Sequence, residues 1–351
     1  MSNKFITISI IQDAGINNSN RDDVGEVKSV TVGGCRRQRR SSQCKKRVDR
    51  KAMIDLGISP AYRSKILADK LYKEALAKGV SPKEALSRIG IIFGTNKTPG
   101  KLIDGFKDLE KSGVKGTITT SCLIYYSEDE YQQLLEVLLN GAEITTDIQG
   151  ILTQGQKRFG GLVALFGRMM ADHPDMNVEA AAAYSHAFST HEIAMESDYF
   201  TAMDDCATGP GAGHLDQTSF THSVLFQTVV LDIEQLKCNL PDTSPEDIQA
   251  LVCAFIEAVI TSAPEGKKNA FYSNTLPEMV VIDKTSMPIS MCGAFETPVQ
   301  AAPSGGYSKA SVEAFKAHRE DMLSKGYPVE ESYGLQGYSI EGAKAFIKSI
   351  L

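Results

Sequence analysis

The stretch Gly33-Gly34-Cys35-Arg36-Arg37-Gln38-Arg39-Arg40-Ser41-Ser42-Gln43-Cys44-Lys45-Lys46-Arg47 decides how this chain is read. Its two glycines break an extended segment, and its arginines offer forked donors that match phosphate oxygens. Ser41 or Ser42 is a good N-cap for a helix whose first turn adds backbone N–H groups to an anion site, while the serines and Gln43 add neutral donors. Physically this is a phosphate cradle. From Lys28 to Lys51 there are ten Lys or Arg against the single acid Asp49, a local net of +9 that leaves −15 for the rest of a chain whose net charge is −6. Local potential, not net charge, decides where phosphate binds, so a basic patch on an acidic body marks a defined polyanion groove.

Outward from the cradle, Ile6, Ile8 and Ile10 alternate with Thr7 and Ser9 across residues 5–11, the period of a half-buried strand. Asn17, Asn18, Ser19 and Asn20 make a polar loop, and residues 27–32 a second extended segment. The helix expected after the cradle sets Cys44, Val48, Ala52 and Leu56 on one face and Lys46 and Arg50 on another. Residues 57–160 turn helical and polar. A helix is predicted over 62–77, another starts at Ser81-Pro82, and the capping box Ser127-x-x-Glu130 opens a third to Leu139, with a strand over 117–126. The apolar residues 161–170 and 180–190 return the chain to a sheet, and 219–231 is the clearest long strand. Residues 192–217 are rich in Asp and Gly and longer than an ordinary hairpin connection. Ser244-Pro245 then opens an amphipathic helix with Ile248, Leu251, Val252, Phe255, Ile256 and Val259 inward; 279–283 is a strand and 308–325 a final helix. The pattern fits an α+β core with insertions.

Several classes are disfavoured. No run of about 18 apolar residues exists and the N-terminus lacks a signal layout, so a cytoplasmic protein without a membrane partner is expected. The seven cysteines contain no Cys-x-x-Cys, and the histidines match no helical ligand pair, so neither a metal nor any other cofactor is expected. No nucleotide-binding glycine fingerprint, nucleophile elbow or His-Glu-x-x-His appears, which argues against an enzyme.

The block Asn20-Arg21-Asp22-Asp23 followed by the cradle resembles the CasC family, the repeated backbone subunit of type I-E CRISPR Cascade, a surveillance complex of antiviral defence. The likeness continues through Gly167-Arg168-Met169, Ala187-Phe188-Ser189-Thr190-His191, residues 198–205 and Met287-Pro288-Ile289-Ser290-Met291. It implies a modified RNA-recognition-motif (ferredoxin-like) palm over residues 1–56, 161–194 and 218–351, a helical fingers insertion over 57–160, and a thumb loop over 195–217. It also implies that copies of the chain polymerise along a CRISPR guide RNA, kink it periodically and present it for pairing with a target DNA strand. The partners implied are the large and small subunits, the subunit on the 5′ handle, the 3′-hairpin endoribonuclease and, indirectly, a recruited nuclease-helicase. Carried over by position, Arg21, Arg36, Arg37, Arg39, Ser41, Ser42, Gln43, Lys46 and Arg50 would hold guide phosphates and sugars. Met169 and Phe200 would wedge bases, because an apolar or aromatic side chain meets the face of any base, and Arg168 and Thr201 accompany them. The chain departs from the family pattern at Arg40, expected to face outward, and at Lys45, both making the cradle more basic; Leu162 and Val163 stand where an acid is expected.

Two other readings compete. A ribonuclease that cuts target RNA, as in type III backbone subunits, would use Asp204 or Asp205, with Asp22 and Asp23 as lesser candidates; structurally all four fit Asx turns, helix caps or arginine pairing. A stand-alone RNA-binding regulator would use the basic cluster alone.

Overall fold

Isoleucines at 6, 8, 10 and 11 bury themselves in strand β1 (Phe5–Asn17), and Thr7 and Ser9 between them are buried as well. The strand is thus covered on both faces, not half-buried as the alternation suggested. The computed structural model describes residues 5–94, 98–140, 144, 147–154, 160–170, 174–203, 205–206 and 212–351. β2 (Ser29–Val32) and β3 (Cys35–Arg40) form a hairpin whose two-residue turn is Gly33-Gly34. Both glycines have positive φ, 58° and 77°, the backbone that a tight hairpin turn needs, and a Cβ on Gly33 would collide with the Glu296 carbonyl oxygen. Ser41 caps α1 (Ser42–Asp55), its Oγ accepting from the Cys44 N–H.

The next stretch builds a second unit, residues Gly57–Ala181 with Glu234–Ile248. Its elements are β4 (Ala61–Ser64), α2 (Leu67–Ala77), α3 (Pro82–Ile92), α4 (Phe106–Ser112), β5 (Ile124–Ser127), α5 (Glu128–Leu139), α6 (Ile148–Gln154) and α7 (Gly161–Phe166). The helix expected over 62–77 begins only at Leu67, because Tyr62 pairs with Tyr126 in the β4–β5 ladder and tertiary pairing overrides local propensity. The capping box forms as read, Ser127 Oγ accepting from the Glu130 N–H and the Glu130 carboxylate from the Ser127 N–H. Residues 161–166 are a helix, not a strand: a short apolar run with every side chain from Leu162 to Phe166 buried has no period to read. Leu71, Ile89, Phe93, Leu134, Leu138 and Ile148 belong to this unit's core.

The other unit comprises Met1–Leu56, Ala182–Ile233 and Gln249–Leu351. The chain re-enters it through β6 (Ala182–Tyr184), β7 (Ala187–Ser189), β8 (Glu196–Met203) and the 21-residue β9 (Ala212–Asp232). After α8 (Ile233–Asn239) come α9 (Pro245–Thr261), β10 (Met279–Thr285), α10 (Ser308–Ser324), β11 (Val329–Tyr333) and α11 (Ile340–Ile350). The antiparallel sheet runs β11-β10-β1-β9-β7-β3-β2, with β6 and β8 also on β9. One core cluster packs Ile11, Phe226, Met279 and Val281 with Phe295 and Phe315. The segment read as a long loop over 192–217 is mostly a hairpin: Glu196 to Met203 pair with the first half of β9, from Phe220 back to Ala212.

α1 turns a charged face inward. Lys45, Val48, Asp49 and Met53 are its buried residues, whereas Leu56, expected inside, is exposed. Lys45 Nζ lies 2.7 Å from Asp49 Oδ1 and donates to the carbonyls of Val259 and Ser262, each at 2.9 Å, at the C-terminal end of α9. A cation there satisfies carbonyls that the helix leaves open and complements its dipole. Asp49 in turn accepts from Tyr184 Oη at 2.8 Å and from Ser262 Oγ, so one carboxylate joins α1, β6 and the end of α9. Lys45 therefore does not enlarge the cradle; it is consumed within the fold.

His191 follows the same logic. It stacks on Tyr307 at 3.6 Å between centroids; its Nε2 accepts from the Val224 N–H (3.1 Å) and its Nδ1 donates to the Glu192 carbonyl (2.7 Å). A second ring proton would point at a backbone donor.

Two outcomes are expected. Lys45→Met strands the Asp49 carboxylate and costs about 3 kcal/mol in denaturant unfolding, while the double variant Lys45→Met/Asp49→Leu recovers part of that loss. Burial lowers the His191 pKa, so this residue's contribution is complete above the unfolded imidazole value of ~6.5 and is lost as pH falls from there through the lower folded value. Unfolding midpoints measured from neutral to mildly acid pH should decline, and His191→Gln should flatten the decline.

Candidate nucleic-acid interface

Successive residues of β3 point to opposite faces, Arg36 and Arg40 to one and Arg37 and Arg39 to the other, and on each face one arginine is buried and one keeps exposure. Arg36 is exposed, its Nε donating to Ser29 Oγ (3.1 Å) and its Nη2 3.7 Å from Glu26. Arg37 is fully buried. Its guanidinium donates to the carbonyls of Ser189 (2.8 Å), Phe295 (3.3 Å) and Glu296 (3.5 Å). The expectation that Arg37 holds a guide phosphate is thereby corrected: its donors tie β3 to β7 and to residues 295–296, and burial lowers its pKa against the pull of Cys35, Glu192 and Glu296.

Arg39 is partly exposed, with Nη1 2.9 Å from His186 Nδ1. Arg40, expected outward, is buried; its Nη1 donates to Gln12 Oε1 on β1 (3.3 Å), and burial pulls its guanidinium down to about 10. Gln38 lies inside too, donating to Asn17 Oδ1 and accepting from Ser223 Oγ.

The helix start adds neutral donors beside these cations. Ser41 is buried and occupied as the cap, and its N–H donates to Asn20 Oδ1 at 2.9 Å, which joins the Asn20-Arg21-Asp22-Asp23 loop to α1. Its hydroxyl therefore works within the fold instead of facing solvent as the cradle reading expects. Ser42 and Gln43 in the first turn retain exposure, as do Lys46 and Arg50 farther along and Arg21 in the loop. Asp22 Oδ1 accepts from the N–H groups of Val24 and Glu26, an Asx-type turn that gives this carboxylate a structural task. Asp205 is exposed, and Asp204 lies outside the described residues. Among the described residues no group of three His, Cys, Asp or Glu side chains could hold a metal ion.

In the second unit, Gly167-Arg168-Met169 works as a pedestal. Gly167 has φ 72°, and a Cβ there would meet Ala180 and the Val178 carbonyl at 2.9 Å. Arg168 is buried, bridged to Glu130 at 2.7 Å and donating to the carbonyls of Met176 and Tyr125. It anchors the turn and does not reach outward as expected of an RNA contact. Met169 beside it is 84% exposed.

On the β8 arm Phe200 and Thr201 face opposite sides. Phe200, 39% exposed, shares its side with Asp198 and lies with Thr218, Lys268 and Phe271 around one cavity. Thr201 shares its side with Tyr199 (66% exposed) and Met203 (77%), and pairs with the exposed Leu215. The sequence reading missed Tyr199, Met203 and Leu215, although the successive strand formers Tyr199, Phe200 and Thr201 carry a signal for an extended segment. It also missed Tyr184 and His186, which precede the matched Ala187 block.

Comparison with known families now decides the affiliation: the model described as CT1975-like protein matches residues 6–343. The chain belongs to the CT1975-like protein family. A search of curated proteins finds no significant match. Among solved structures, this CT1975-like chain is similar to a chain of a "CRISPR RNA-guided surveillance complex, pre-nicking", with TM-score 0.83, 25% identity, and coverage of 99% of this chain and 100% of that one. A chain of another "CRISPR RNA-guided surveillance complex" matches with TM-score 0.73 and 22% identity over 98% and 99%. The homology to Cascade-type surveillance subunits extends over nearly the whole chain, in agreement with the CasC resemblance of its motifs.

Arg36→Ala should leave stability within about 0.5 kcal/mol, whereas Arg37→Ala leaves buried carbonyls without donors and costs about 3 kcal/mol. Paired chemical-denaturation curves check this directly; equal costs would contradict the sorting of the two arginines.

Proposed function

We propose that this CT1975-like chain is a non-catalytic, guide-RNA-binding backbone subunit of a Cascade-type antiviral complex, copies of which line up along one CRISPR RNA and hold it for pairing with target DNA. The observation that carries the reading is the row of donors that keep solvent exposure on β3 and α1, in a chain whose full length aligns with a surveillance-complex subunit. Arg21, Arg36, Arg39, Ser42, Gln43, Lys46 and Arg50 are the donors for phosphates and sugars, a backbone contact that carries no sequence information. Met169 and the β8 arm, through Phe200 and Thr201, are the wedges between bases.

In this proposal the unit that holds these donors is a ferredoxin-like palm, which the order of its strands supports. The strands β10-β1-β9-β6 lie in that spatial order, with α1 between β1 and β6 in sequence and α9 between β9 and β10. On this reading the unit of Gly57–Ala181 and Glu234–Ile248 supplies the fingers and the β8–β9 arm the thumb. The cytosol is the compartment in which a guide and its target meet; among the described residues no helix is long and apolar enough to cross a membrane. The large and small subunits, the 5′-handle and 3′-hairpin subunits and a recruited nuclease-helicase remain the partners expected.

Co-expression with a repeat-spacer RNA and the partner subunits, followed by mass measurement and footprinting of the guide, tests the proposal. A multi-copy assembly with regularly spaced kinks and intact RNA is expected. A monomer on RNA would instead support a regulator, and periodic cuts abolished by Asp205→Asn would support a nuclease.

A further inference from the structure

Among its described residues the β8–β9 arm buries nothing until its root. Every residue of β8 is exposed, and so are residues 214–217 of the β9 strand opposite. Thr218, paired with Asp198, is the first buried residue on the way into the sheet. Asp198 and Phe200 share with residues 267–271 the walls of a cavity of about 560 Å³, so packing does not fix the arm on that side. A two-stranded ribbon is marginally stable alone, and the angle at which this one stands is set by what grips its root.

Two loops grip it. Lys267 Nζ donates to Thr218 Oγ1, and at the next residue Asn18 Nδ2 donates to the Ser219 carbonyl at 2.7 Å. Asn18 is fully buried, and its Nδ2 also donates to the Gly25 carbonyl at 3.3 Å, in the loop that carries Arg21. The two loops are pressed together so closely that a Cβ on Gly266 would collide with the Ser19 carbonyl oxygen. Lys267 is held in an unusual conformation as well. Among the described residues it is the only one besides glycine with positive φ, 49°, and its carbonyl accepts from the N–H groups of Ala270 (3.0 Å) and Phe271 (2.9 Å). Left-handed backbone is unfavourable for a lysine, whereas glycine or asparagine adopts it more readily. The turn alone would be better served by asparagine; the reach to Thr218 requires the long side chain, and strain of this kind persists where the surrounding structure enforces it.

We propose that Lys267 and Asn18 are positioning residues that together fix the angle at which the arm stands on the sheet, and so where Phe200 and Thr201 meet a strand of RNA. Lys267 acts through Thr218, not as a phosphate contact. The inference rests on the guide-binding reading above and deepens it.

The test reads the arm without RNA and then with it. In the full-length protein alone, time-resolved anisotropy of a fluorophore on an unnatural side chain in place of the exposed Gln217 reports the wobble of the arm. Lys267→Asn is too short to reach Thr218 but suits left-handed backbone better, so it should melt no lower than the parent and yet raise the wobble amplitude about twofold. Thr218→Val should match it and add nothing in the double variant, Thr218→Ser should keep the parent's order, and Asn18→Leu should loosen the arm as well. In complexes co-expressed with a repeat-spacer RNA, the loosened variants should lose about half of the periodic contrast in chemical probing of the guide, while the log–log salt slope of binding to an unstructured single-stranded RNA stays that of the parent. An arm as rigid in Lys267→Asn as in the parent overturns the inference. So does Thr218→Ser as loose as Thr218→Val, and so does a salt slope reduced by about 0.7 in Lys267→Asn, which would make the lysine a phosphate contact. If the variants loosen the arm but the parent itself forms no periodic complex, the positioning of the arm is supported and the guide-binding reading is what falls.

Discussion

Lys45 and Asp49, one helical turn apart on α1, meet inside the protein and bind the helix to the end of α9 and to β6. A buried ion pair is costly to assemble, because both charges leave water, and it persists only where surrounding dipoles complete their coordination. Here the carbonyls of Val259 and Ser262 and the hydroxyls of Ser262 and Tyr184 do so. The pair therefore sets the rotation of α1 about its axis. With Lys45 turned inward, Lys46 must lie roughly a third of a turn away, over Tyr184. The presentation of cations on α1 is thus a consequence of a charge that is itself hidden.

The same arrangement recurs along the chain in neighbouring residues. Arg37 is inside and Arg36 outside, Arg40 inside and Arg39 partly outside, Arg168 inside and Met169 outside. In each case the buried member donates to oxygen acceptors of the fold, and the exposed member projects from a backbone made rigid by that anchor. A polyanion site built this way has a physical advantage over a loop rich in lysine. Its donors lose less conformational freedom on binding, since the backbone beneath them is already ordered.

The density of basic residues is thus a poor measure of the charge offered to a ligand. Of the four arginines in β3, Arg37 and Arg40 are buried, and Arg36 is shared with Glu26. Arg40 and Lys45, where the chain departs from the family resemblance, are buried as well. Each found an interior acceptor, Gln12 for one and Asp49 for the other, that an apolar residue would not need.

Much of the local structure was legible because its causes are local. The Gly33-Gly34 break, the Ser41 cap, the Ser127-x-x-Glu130 box and the helix opened by Ser244-Pro245 depend on residues within one turn of each other, and so do the family motifs that point to RNA binding. The strand-forming run of residues 199–201 was equally local but was masked by the Asp- and Gly-rich residues that follow it. What only the tertiary structure decided was which polar residues are used up inside. Arg37 meets acceptors at positions 189, 295 and 296, and Lys45 at 259 and 262. Sequence by itself determined where the cations lie along the chain; the sheet and its helices determined which of them face solvent, because a guanidinium or ammonium stays buried only where distant carbonyls and carboxylates have been folded around it.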